Sequence, residues 1–563
     1  MKKLIFLFLL STFTDLNAQT FFLGADLSYV NEMEDCGAVY YENQQAKDPF
    51  LIFGSHQANI ARFRLWHSPQ WTEYSTLEDV KKSIGRAKAA GMTVLLDFHY
   101  SDTWTDPGQQ LIPDAWNEIP DLTILGDSLF NYTYNTLNHL QDLGLLPDMV
   151  QIGNETNGNI LVKQGEPLYP IVWERNIYLF GRGIAAVHAI NQTHSADIKT
   201  VIHIAQPESA LSWFNTAAGH GFNDFDIIGI SYYPGWSVHD IREAASIIGQ
   251  LKTTHQKEVL IVETGYPWTL SWADNANNLL GTSNFLKTFG NSTSAEIQRD
   301  VMTELSWLVS ESGGLGVIYW EPAWVSTPCS TQWSVGSHWE NATFFNFGYD
   351  LHQGIGFLSY DYSTIPPGLD SVLVSFKVDM TGVDTTSGVF VTGDFTGQNW
   401  LFREMRHIGQ NVFEYSEKIP GRSTGAYIFQ NKADWNTQSR EPVPSACALK
   451  WNTHREFVVK NQPVEFAFKW GSCEGISGLG VDDKLVNQVK IFPNPATSSF
   501  HLQSLKNINR IEIYDFFGRF LKSIPVPNQV EMDIDASDLP SGAYLVHVYT
   551  DHSTATTQKL LVK

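Results

Sequence analysis

The chain is long, acidic and rich in aromatic residues. It has 563 residues, with 60 Asp or Glu against 37 Lys or Arg and a formal net charge of -23 at pH 7. This charge excludes nucleic acid and anionic membrane surfaces as main partners, because phosphate groups bind to basic surfaces. The length allows three domains. The 18 Trp, 21 Tyr and 34 Phe residues suit stacking on sugar rings or filling of cores, and composition does not separate these uses.

The first 18 residues have the pattern of a secretory signal peptide. Lys2 and Lys3 precede an apolar run over 4–10, and a short polar stretch ends at the small residue Ala18. The apolar run is too short to span a bilayer. Since no later segment has the length and hydropathy of a transmembrane helix, we expect an exported protein without a transmembrane segment.

Residues 19–368 alternate short apolar runs with helical stretches, which is typical of parallel β/α units. Eight candidate strands follow in order, at 22–26, 61–66, 93–98, 149–155, 200–204, 226–231, 259–263 and 316–320. Most are apolar throughout, as expected for strands buried on both faces. We therefore predict an α/β fold, a (β/α)₈ TIM barrel, with its functional site at the carboxyl ends of the strands.

Two acidic residues stand at the carboxyl ends of opposing strands. Glu155 ends the fourth candidate strand and Glu263 ends the seventh, so a barrel would bring both into one cleft. An isolated Glu is usually a solvated surface charge, but this paired placement favours catalysis. Two carboxyl groups can cleave a glycosidic bond, and we predict Glu155 as the acid/base and Glu263 as the nucleophile.

Neighbouring polar side chains fit these two roles. Asn154 can hydrogen-bond the 2-hydroxyl of a sugar at the reaction centre. Tyr233, at the end of the sixth strand, and Arg62 or Arg64, on the second, can donate to Glu263 and hold it ionised. The negative charge of that carboxylate would in turn raise the pKa of the acid/base.

Several longer stretches of the barrel form motifs. They are GADLS at 24–28, RFRLW at 62–66, LDFHYSD at 96–102, SYYP at 231–234, ETGYP at 263–267 and YWEPAW at 319–324. These stretches resemble glycoside hydrolase family 53, and the resemblance covers the whole barrel. It implies a retaining endo-β-1,4-galactanase that acts on the β-1,4-galactan chains of type I arabinogalactan in pectin, without a cofactor for catalysis.

The resemblance also assigns residues to a substrate cleft around Glu155 and Glu263. The residues expected to line it are Asp26, Arg64, Asp97, His99, Asp102, Asn154, Tyr233, Trp320 and Trp324. Trp236 joins this set because aromatic residues on loops have less use in core packing. For Asp97 and His99, the alternative is a supporting position behind the cleft.

Two other functions stay open. One is a related β-1,4-glycanase activity, on mannan or glucan. The other is a surface glycan-binding protein without catalysis, which the presence of both Glu155 and Glu263 disfavours. The stretch Thr-Asn-Gly-Asn-Ile at 156–160 departs from the more apolar, Trp-bearing loop of many family members, so product length is not implied.

Some bacterial members of the family hold a calcium ion in the loop after the seventh strand. Here that loop, at 271–278, offers Asp274 and Asn277 as oxygen ligands but only one carboxylate. A structural calcium ion bound by these two residues is one interpretation, and a polar surface loop is the other.

The four cysteines fall into two pairs by region. Cys36 follows the first strand and Cys329 the eighth, and these strands are neighbours in a closed barrel. A disulfide between them suits an exported protein, with free buried cysteines as the alternative. We expect Cys447 and Cys473 to bond within the next domain, and we expect a monomer.

Residues 369–478 alternate apolar and polar positions without a helical period, with candidate strands at 372–378, 388–393, 426–429 and 464–469. This pattern predicts a small β-sandwich after a Pro-Gly hinge. It either binds carbohydrate through Trp400, Trp435 and Trp451 or serves as a spacer.

Residues 487–563 predict a second small all-β domain. They contain IFPNPA at 491–496, IEIYDFFGR at 511–519 and LPSGAYLV at 539–546, and they end in a basic residue. This stretch resembles the C-terminal sorting domain of the type IX secretion system. The resemblance implies the outer-membrane secretion machinery as a partner and export through the periplasm and outer membrane to a secreted or cell-surface location.

Overall fold

A computed structural model shows the arrangement of the chain. It describes residues 20–281, 293–330, 334–396, 400–449, 453–459, 462–476, 489–492, 495–515, 520–540, 542–550 and 555–562. The predicted signal peptide and Trp451 lie outside the described residues. The chain forms two compact units, of which the first ends at Asp370 and the second begins at Ser371. The finer division into 19–368, 369–478 and 487–563 stays a prediction.

The first unit contains a closed barrel of eight parallel strands, in which the first strand pairs with both the second and the eighth. The strands are β1 Phe22–Asp26, β2 Ile60–Leu65, β3 Thr93–Phe98, β4 Met149–Ile152, β5 Lys199–Ala205, β6 Ile227–Ser231, β7 Glu258–Glu263 and β8 Gly316–Tyr319. Each overlaps its predicted counterpart, so the TIM barrel is confirmed.

Helices connect successive strands around the barrel. They are α1 Pro49–Ser55, α2 Leu77–Ala89, α3 Leu122–Asp142, α4 Trp173–His194, α5 Pro207–Gly219, α6 Ile241–His255 and α7 Ala295–Glu311. A short helix, Val30–Asp35, precedes α1, and a 3-10 helix, Gln353–Ser359, follows β8 and packs on α7. Side chains that cap the first turns fix where several helices begin. These caps are Thr76, Asp121, Asp240 and Ser294.

Inside the barrel, the side chains change from apolar to polar toward the carboxyl ends of the strands. The lower inward positions are apolar: Ile60, Leu95, Met149, Val201, Ile227 and Leu260. Because side chains alternate along a strand, the next inward positions lie two residues further on. On β2 to β5 these are polar and buried: Arg62, Asp97, Gln151 and His203.

The second unit begins with two four-stranded sheets. One has the order β12-β13-β9-β16, with β9 Ser371–Asp379, β12 Arg406–Gly409, β13 Val412–Pro420 and β16 Val464–Lys469. The other has the order β11-β10-β14-β15, with β10 Phe390–Gly393, β11 Arg403–Glu404, β14 Thr424–Gln430 and β15 Arg455–Val458. Both sheets contribute to one core around Phe376 and Tyr427, as in a sandwich. Trp435 is 47% exposed and lies 6.3 Å from Trp400 between ring centres.

A five-stranded sheet with its own core completes the second unit. Its strands are β17 Val489–Phe492, β18 Ser499–Asp515, β19 Phe520–Asp535, β20 Gly542–Thr550 and β21 Ala555–Val562. The order is β17-β18-β20-β21, and β19 also pairs with β18. The predicted all-β character of the C-terminal region is confirmed.

Candidate active site

A cavity of about 520 Å³ opens at the carboxyl ends of the barrel strands. Both predicted catalytic residues lie in its wall. The wall residues are Trp104, Thr105, Asp106, Asn154, Glu155, Tyr233, Trp236, Glu263, Asn277, Leu279, Trp320, Trp324 and His338. Aromatic rings with a few convergent polar groups are typical of a ligand site.

Glu263 enters the cavity because β7 contains a bulge. Ile261 pairs with Ile230 of β6, whereas Glu263 pairs with the next residue of β6, Ser231. Val262 is therefore the extra residue, and it packs with the apolar side chains inside the barrel. The bulge turns the following Glu263 to the same side, although strict alternation would have aimed it at the surrounding helices.

Two donors hold the carboxylate of Glu263. The Nη2 atom of Arg62 lies 2.9 Å from Oε1, and the hydroxyl of Tyr233 donates to Oε2 over 3.0 Å. Both contacts favour the ionised form of the carboxyl group. Of the two arginines that the sequence offered for this contact, Arg62 makes it.

Glu155 follows β4 with a backbone φ of 45°, which is uncommon for residues with a side chain and frequent at functional sites. Ser231 Oγ donates to its Oε1 over 2.5 Å and lies 3.5 Å from Oε2 of Glu263. These two carboxylate oxygens therefore lie within about 6 Å of each other. That limit accommodates the roughly 5–5.5 Å between the carboxyl groups of retaining glycosidases.

Both carboxyl groups have raised pKa values. Burial, followed by the negative charge of Glu263, raises the pKa of Glu155 to about 8. Burial raises the pKa of Glu263 to about 7, and the charge of Arg62 opposes that rise. Since the groups repel each other when both are charged, the pair retains one proton most readily, and the contact of Arg62 with Glu263 favours Glu155 as its carrier.

Arg62 is the centre of a buried charge network beneath the cavity. Its Nη1 atom lies 2.7 Å from Asp26, and its Nη2 atom lies 2.8 Å from Asp97. Asp97 also contacts His99 Nε2 at 3.1 Å. Burial opposes the charge on Asp97, but Arg62 and His99 outweigh it and lower the pKa of that carboxyl group. The network fixes Arg62 against Glu263.

The cavity brings together half of the residues predicted to bind substrate. Those in its wall are Asn154, Tyr233, Trp236, Trp320 and Trp324. The others lie behind or beside it: Asp26, Arg64, Asp97, His99 and Asp102. Asp102 accepts hydrogen bonds from the backbone N–H groups of Ser68 and Asp114 and so ties two loops together. Direct substrate contact by this second group stays a prediction.

Arg64 lies in a cage of aromatic rings. Its guanidinium carbon is 4.7, 4.9 and 4.1 Å from the ring centres of Tyr29, Trp66 and Trp104, distances typical of cation–π contacts. Its Nη1 atom also lies 3.2 Å from the buried carboxylate of Glu321. Because Trp104 belongs to the cavity wall, Arg64 supports that wall from behind.

Several wall residues were not predicted as substrate residues. These are Trp104, Thr105, Asp106, Asn277, Leu279 and His338. Trp104 follows β3 closely, and an aromatic residue just after a strand end is a signal that could have found it. Leu279 and His338 belong to the long segments after β7 and β8, where no periodic pattern indicates the direction of a side chain.

The loop after β7 does not offer Asp274 as a free ligand. Its carboxylate accepts hydrogen bonds from Ala276 N–H, Ser326 Oγ and Ser337 N–H. Across the part of the chain that the structure describes, no group of three or more His, Cys, Asp or Glu side chains could hold a metal ion. Calcium binding by Asp274 and Asn277 stays a prediction.

Both predicted disulfides are confirmed. Cys36 and Cys329 join the segments that follow β1 and β8, with 5.7 Å between their Cα atoms. Cys447 and Cys473 are joined within the second unit, with 5.6 Å between their Cα atoms. The alternative of free buried cysteines is therefore wrong.

Residues 22–358, more than half of the chain, match glycosyl hydrolase family 53. The chain belongs to this family. The arabinogalactan endo-beta-1,4-galactanase of Cellvibrio japonicus (strain Ueda107) is 49% identical over 327 residues, which are 58% of this chain and 86% of that protein. The endo-beta-1,4-galactanase of Bacillus subtilis (strain 168) is 32% identical over 55% of this chain and 72% of its own.

Solved structures of family 53 share this barrel. A GH53 catalytic domain from Ignisphaera aggregans matches with a TM-score of 0.55 and 29% identity, over 61% of this chain and 96% of that domain. A structure of fungal beta-1,4-galactanases matches with a TM-score of 0.52 and 29% identity, over 61% of this chain and 99% of its own. As a family 53 member, the protein is a glycoside hydrolase.

Residues 490–563 match the secretion system C-terminal sorting domain. This match confirms the resemblance seen in the last stretch of the sequence and indicates export to the cell surface or the extracellular space. Among the described residues, no helix combines the length and the apolar character that crossing a membrane requires.

Proposed function

We propose that this family 53 enzyme cleaves internal β-1,4-galactosidic bonds of galactan, as in type I arabinogalactan, with retention of configuration at the anomeric carbon. The observation that carries the proposal is the approach of both Glu155 and Glu263 to one hydroxyl group, that of Ser231. The substrate is supported by the names of the relatives, which are arabinogalactan endo-beta-1,4-galactanase and endo-beta-1,4-galactanase.

Two displacements at the anomeric carbon complete the proposed reaction. In the first, the Glu263 carboxylate attacks this carbon while Glu155 gives its proton to the glycosidic oxygen, so the C–O bond breaks and the leaving chain departs as an alcohol. In the second, ionised Glu155 takes a proton from water, the water oxygen attacks the same carbon, and Glu263 leaves as a carboxylate. Arg62 and Tyr233 stabilise that carboxylate before attack and after departure.

We assign direct sugar contact to the predicted residues that line the cavity. Trp236, Trp320 and Trp324 provide aromatic surface, and Asn154 lies beside Glu155, where a 2-hydroxyl would interact with it. Direct sugar contact by the predicted residues outside the wall stays a prediction. Product length would follow from the number of sugar units that this wall holds.

Reducing-sugar release by the purified full chain tests the proposal. We expect turnover of linear β-1,4-galactan but not of β-mannan or cellulose, and a loss of about 10²–10⁴-fold in Glu155→Ala, because the general acid/base is removed. Turnover of mannan or cellulose alone would establish the related glycanase activity. Binding of galactan without turnover by the wild type would establish a glycan-binding protein.

The proposed chemistry needs no cofactor, so we assign any calcium ion a structural role. A calcium ion fits better at Glu340 than at Asp274, because the Oε2 atom of Glu340 is buried without a hydrogen-bond partner. Asn278 lies beside Glu340, with its Nδ2 atom 3.4 Å from Oε1, and its own Oδ1 atom is also buried without a partner. Two acceptor oxygens without donors suit a hard cation.

Dialysis against EDTA tests this role of calcium. We expect a lower Tm that added CaCl₂ restores, since an ion bound only to the folded state stabilises it. Activity at low temperature should not change. In Glu340→Gln, EDTA should no longer change the Tm. If neither EDTA nor added calcium changes the Tm of the wild type, the proposed calcium site is wrong.

We also propose a monomer, in which a catalytic barrel over 19–368 precedes a β-sandwich over 369–478 and the sorting domain over 487–563. Separate apolar cores in the barrel, the sandwich sheets and the C-terminal sheet support this division. Light scattering of the purified chain should give the mass of one copy, and a larger mass would contradict the monomer.

A further inference from the structure

His203 is a buried titratable residue that the proposed reaction does not use. Its ring lies beneath the catalytic pair and is fully buried. The neighbouring Ser231 is fully buried too. Burial, followed by the charge of Arg62, lowers the pKa of His203 well below its usual range. The imidazole is therefore neutral, with a hydrogen on one ring nitrogen only.

The backbone decides which nitrogen carries that hydrogen. The N–H group of Glu155 donates to Nδ1 of His203 over 3.2 Å, and a backbone N–H can only donate. Asn154 Oδ1, an acceptor, also lies 3.0 Å from Nδ1, but it already accepts a shorter hydrogen bond from Arg62 Nη2, over 2.8 Å. Nδ1 is therefore the acceptor, and the hydrogen lies on Nε2. Since Nε2 is 2.8 Å from Ser231 Oγ, His203 donates to the serine hydroxyl.

The serine hydroxyl accepts this hydrogen bond and has a single hydrogen of its own to donate. Its oxygen is 2.5 Å from Oε1 of Glu155 and 3.5 Å from Oε2 of Glu263. The shorter distance selects Glu155 as the acceptor. An oxygen that accepts this hydrogen bond is not the one that carries the acidic proton of the same carboxyl group.

We propose that His203 and Ser231 are positioning residues which, by donating in series to Oε1 of Glu155, keep its catalytic proton on the other carboxylate oxygen, Oε2. This inference rests on the proposed role of Glu155 as the acid/base. The chain of donors holds the carboxyl group in one orientation and also stabilises its ionised form, which the second displacement requires as a base.

The pH dependence of kcat/KM on β-1,4-galactan tests the proposal, because its basic limb reports ionisation of the acid in the free enzyme. In Ser231→Ala, ionised Glu155 loses a donor, so we expect the basic limb to move up by roughly one pH unit. His203→Asn should move it in the same direction by less. Ser231→Thr, which keeps a hydroxyl, should restore the wild-type limb.

Other charged and titratable groups face Glu155 and stay in place in these variants. They are Glu263 from β7, Arg62 from β2, Asp106 from the segment after β3 and Tyr233 from the segment after β6. Ser28→Ala is a matched control, because the Ser28 hydroxyl donates to Oδ1 of Asp26 over the same 2.5 Å in the same barrel. That variant should leave the limb in place.

Each remaining outcome contradicts one specific claim. A limb that moves to lower pH in Ser231→Ala would mean that the serine accepts the proton of Glu155, and an unmoved limb would mean that it serves packing alone. Should circular dichroism show that Ser231→Ala is unfolded, the His203→Asn limb decides in the same way. A wild type that releases no sugar from galactan contradicts the proposed function instead.

Discussion

Arg62 shows how one buried side chain serves both stability and the site. It neutralises part of the charge of Asp26, Asp97 and Glu263, yet three carboxylates face one guanidinium. Buried charge of this kind costs stability unless it is fully paired. The raised pKa values of Glu155 and Glu263 express that cost at the two positions where the chemistry requires it.

Because the pKa of Glu155 is raised on folding, the stability of the protein should depend on pH in a way that Glu155→Gln removes. Burial, followed by the charge of Glu263, raises the pKa of Glu155 from 4.5 to about 8, so its contribution to stability is full below pH 4.5 and is lost as the pH rises to about 8. Glutamine has no such loss. The Tm of the variant should therefore exceed that of the wild type by more at pH 8 than at pH 5.

Thermal unfolding of both proteins at these two pH values measures the effect. Glu78→Gln, a change of the same kind at a side chain that is 81% exposed, controls for the loss of one carboxyl group. A Glu155→Gln advantage that is equal at both pH values, or larger at pH 5, would contradict the burial argument.

The two catalytic residues could be predicted because each stands at the carboxyl end of an apolar run, and such a run is typical of a barrel strand that is buried on both faces. The layer behind them could not be predicted with the same certainty. Arg64 and Asp97 lie on inward positions of β2 and β3, as the motifs suggested, but burial decides whether such a group touches substrate or a neighbour. That distinction depends on Trp104, which covers Arg64 and comes from a different segment.

Among the elements, β7 departs from regular geometry where function requires it. Its apolar sequence predicted the strand, and the alternation of side chains would have placed Glu263 outside the barrel. The register shift against β6 corrects its direction. One extra residue in a ladder leaves no mark in hydrophobic periodicity, so this bulge was not predictable from the sequence.

A disulfide also links two segments of the barrel, those that follow β1 and β8. The Cys36–Cys329 bond spans 293 residues of sequence, so its loss should increase the entropy of the unfolded barrel and cost about 2–5 kcal/mol. Replacing both cysteines by serine should lower the Tm of the barrel by about 3–7 °C.

Differential scanning calorimetry can follow this effect in the full chain. Replacement of Cys447 and Cys473 by serine is the matched control, because that bond lies in the second unit. It should leave the barrel transition where it is. An equal Tm for the Cys36–Cys329 variant and the wild type would show that the bond does not stabilise the barrel.

At the scale of the whole molecule, all residues that line the cavity precede Asp370, where the first compact unit ends. The sequence predicted the change to all-β texture near this point, since helical periodicity stops there. It did not predict the role of the middle region, because exposed Trp435 beside Trp400 serves sugar binding or simple packing equally well.

A variant that ends at Asp370 separates these contributions. Its kcat/KM on soluble galactan should stay within about threefold of the full chain, because the catalytic groups and their donors are all retained. A loss of more than tenfold would contradict a self-contained catalytic barrel. Pull-down on insoluble galactan with the full chain and Trp435→Ala decides between the sugar-binding and spacer roles of the sandwich.

The division of labour between the two carboxyl groups is tested most directly by azide rescue of Glu263→Ala on β-1,4-galactan. Azide should restore turnover and form the α-galactosyl azide, because Glu155 still protonates the leaving oxygen while azide attacks the face that Glu263 has vacated. A Glu263→Ala variant that azide does not rescue, or one that yields the β-galactosyl azide, would contradict the assignment of Glu263 as the nucleophile.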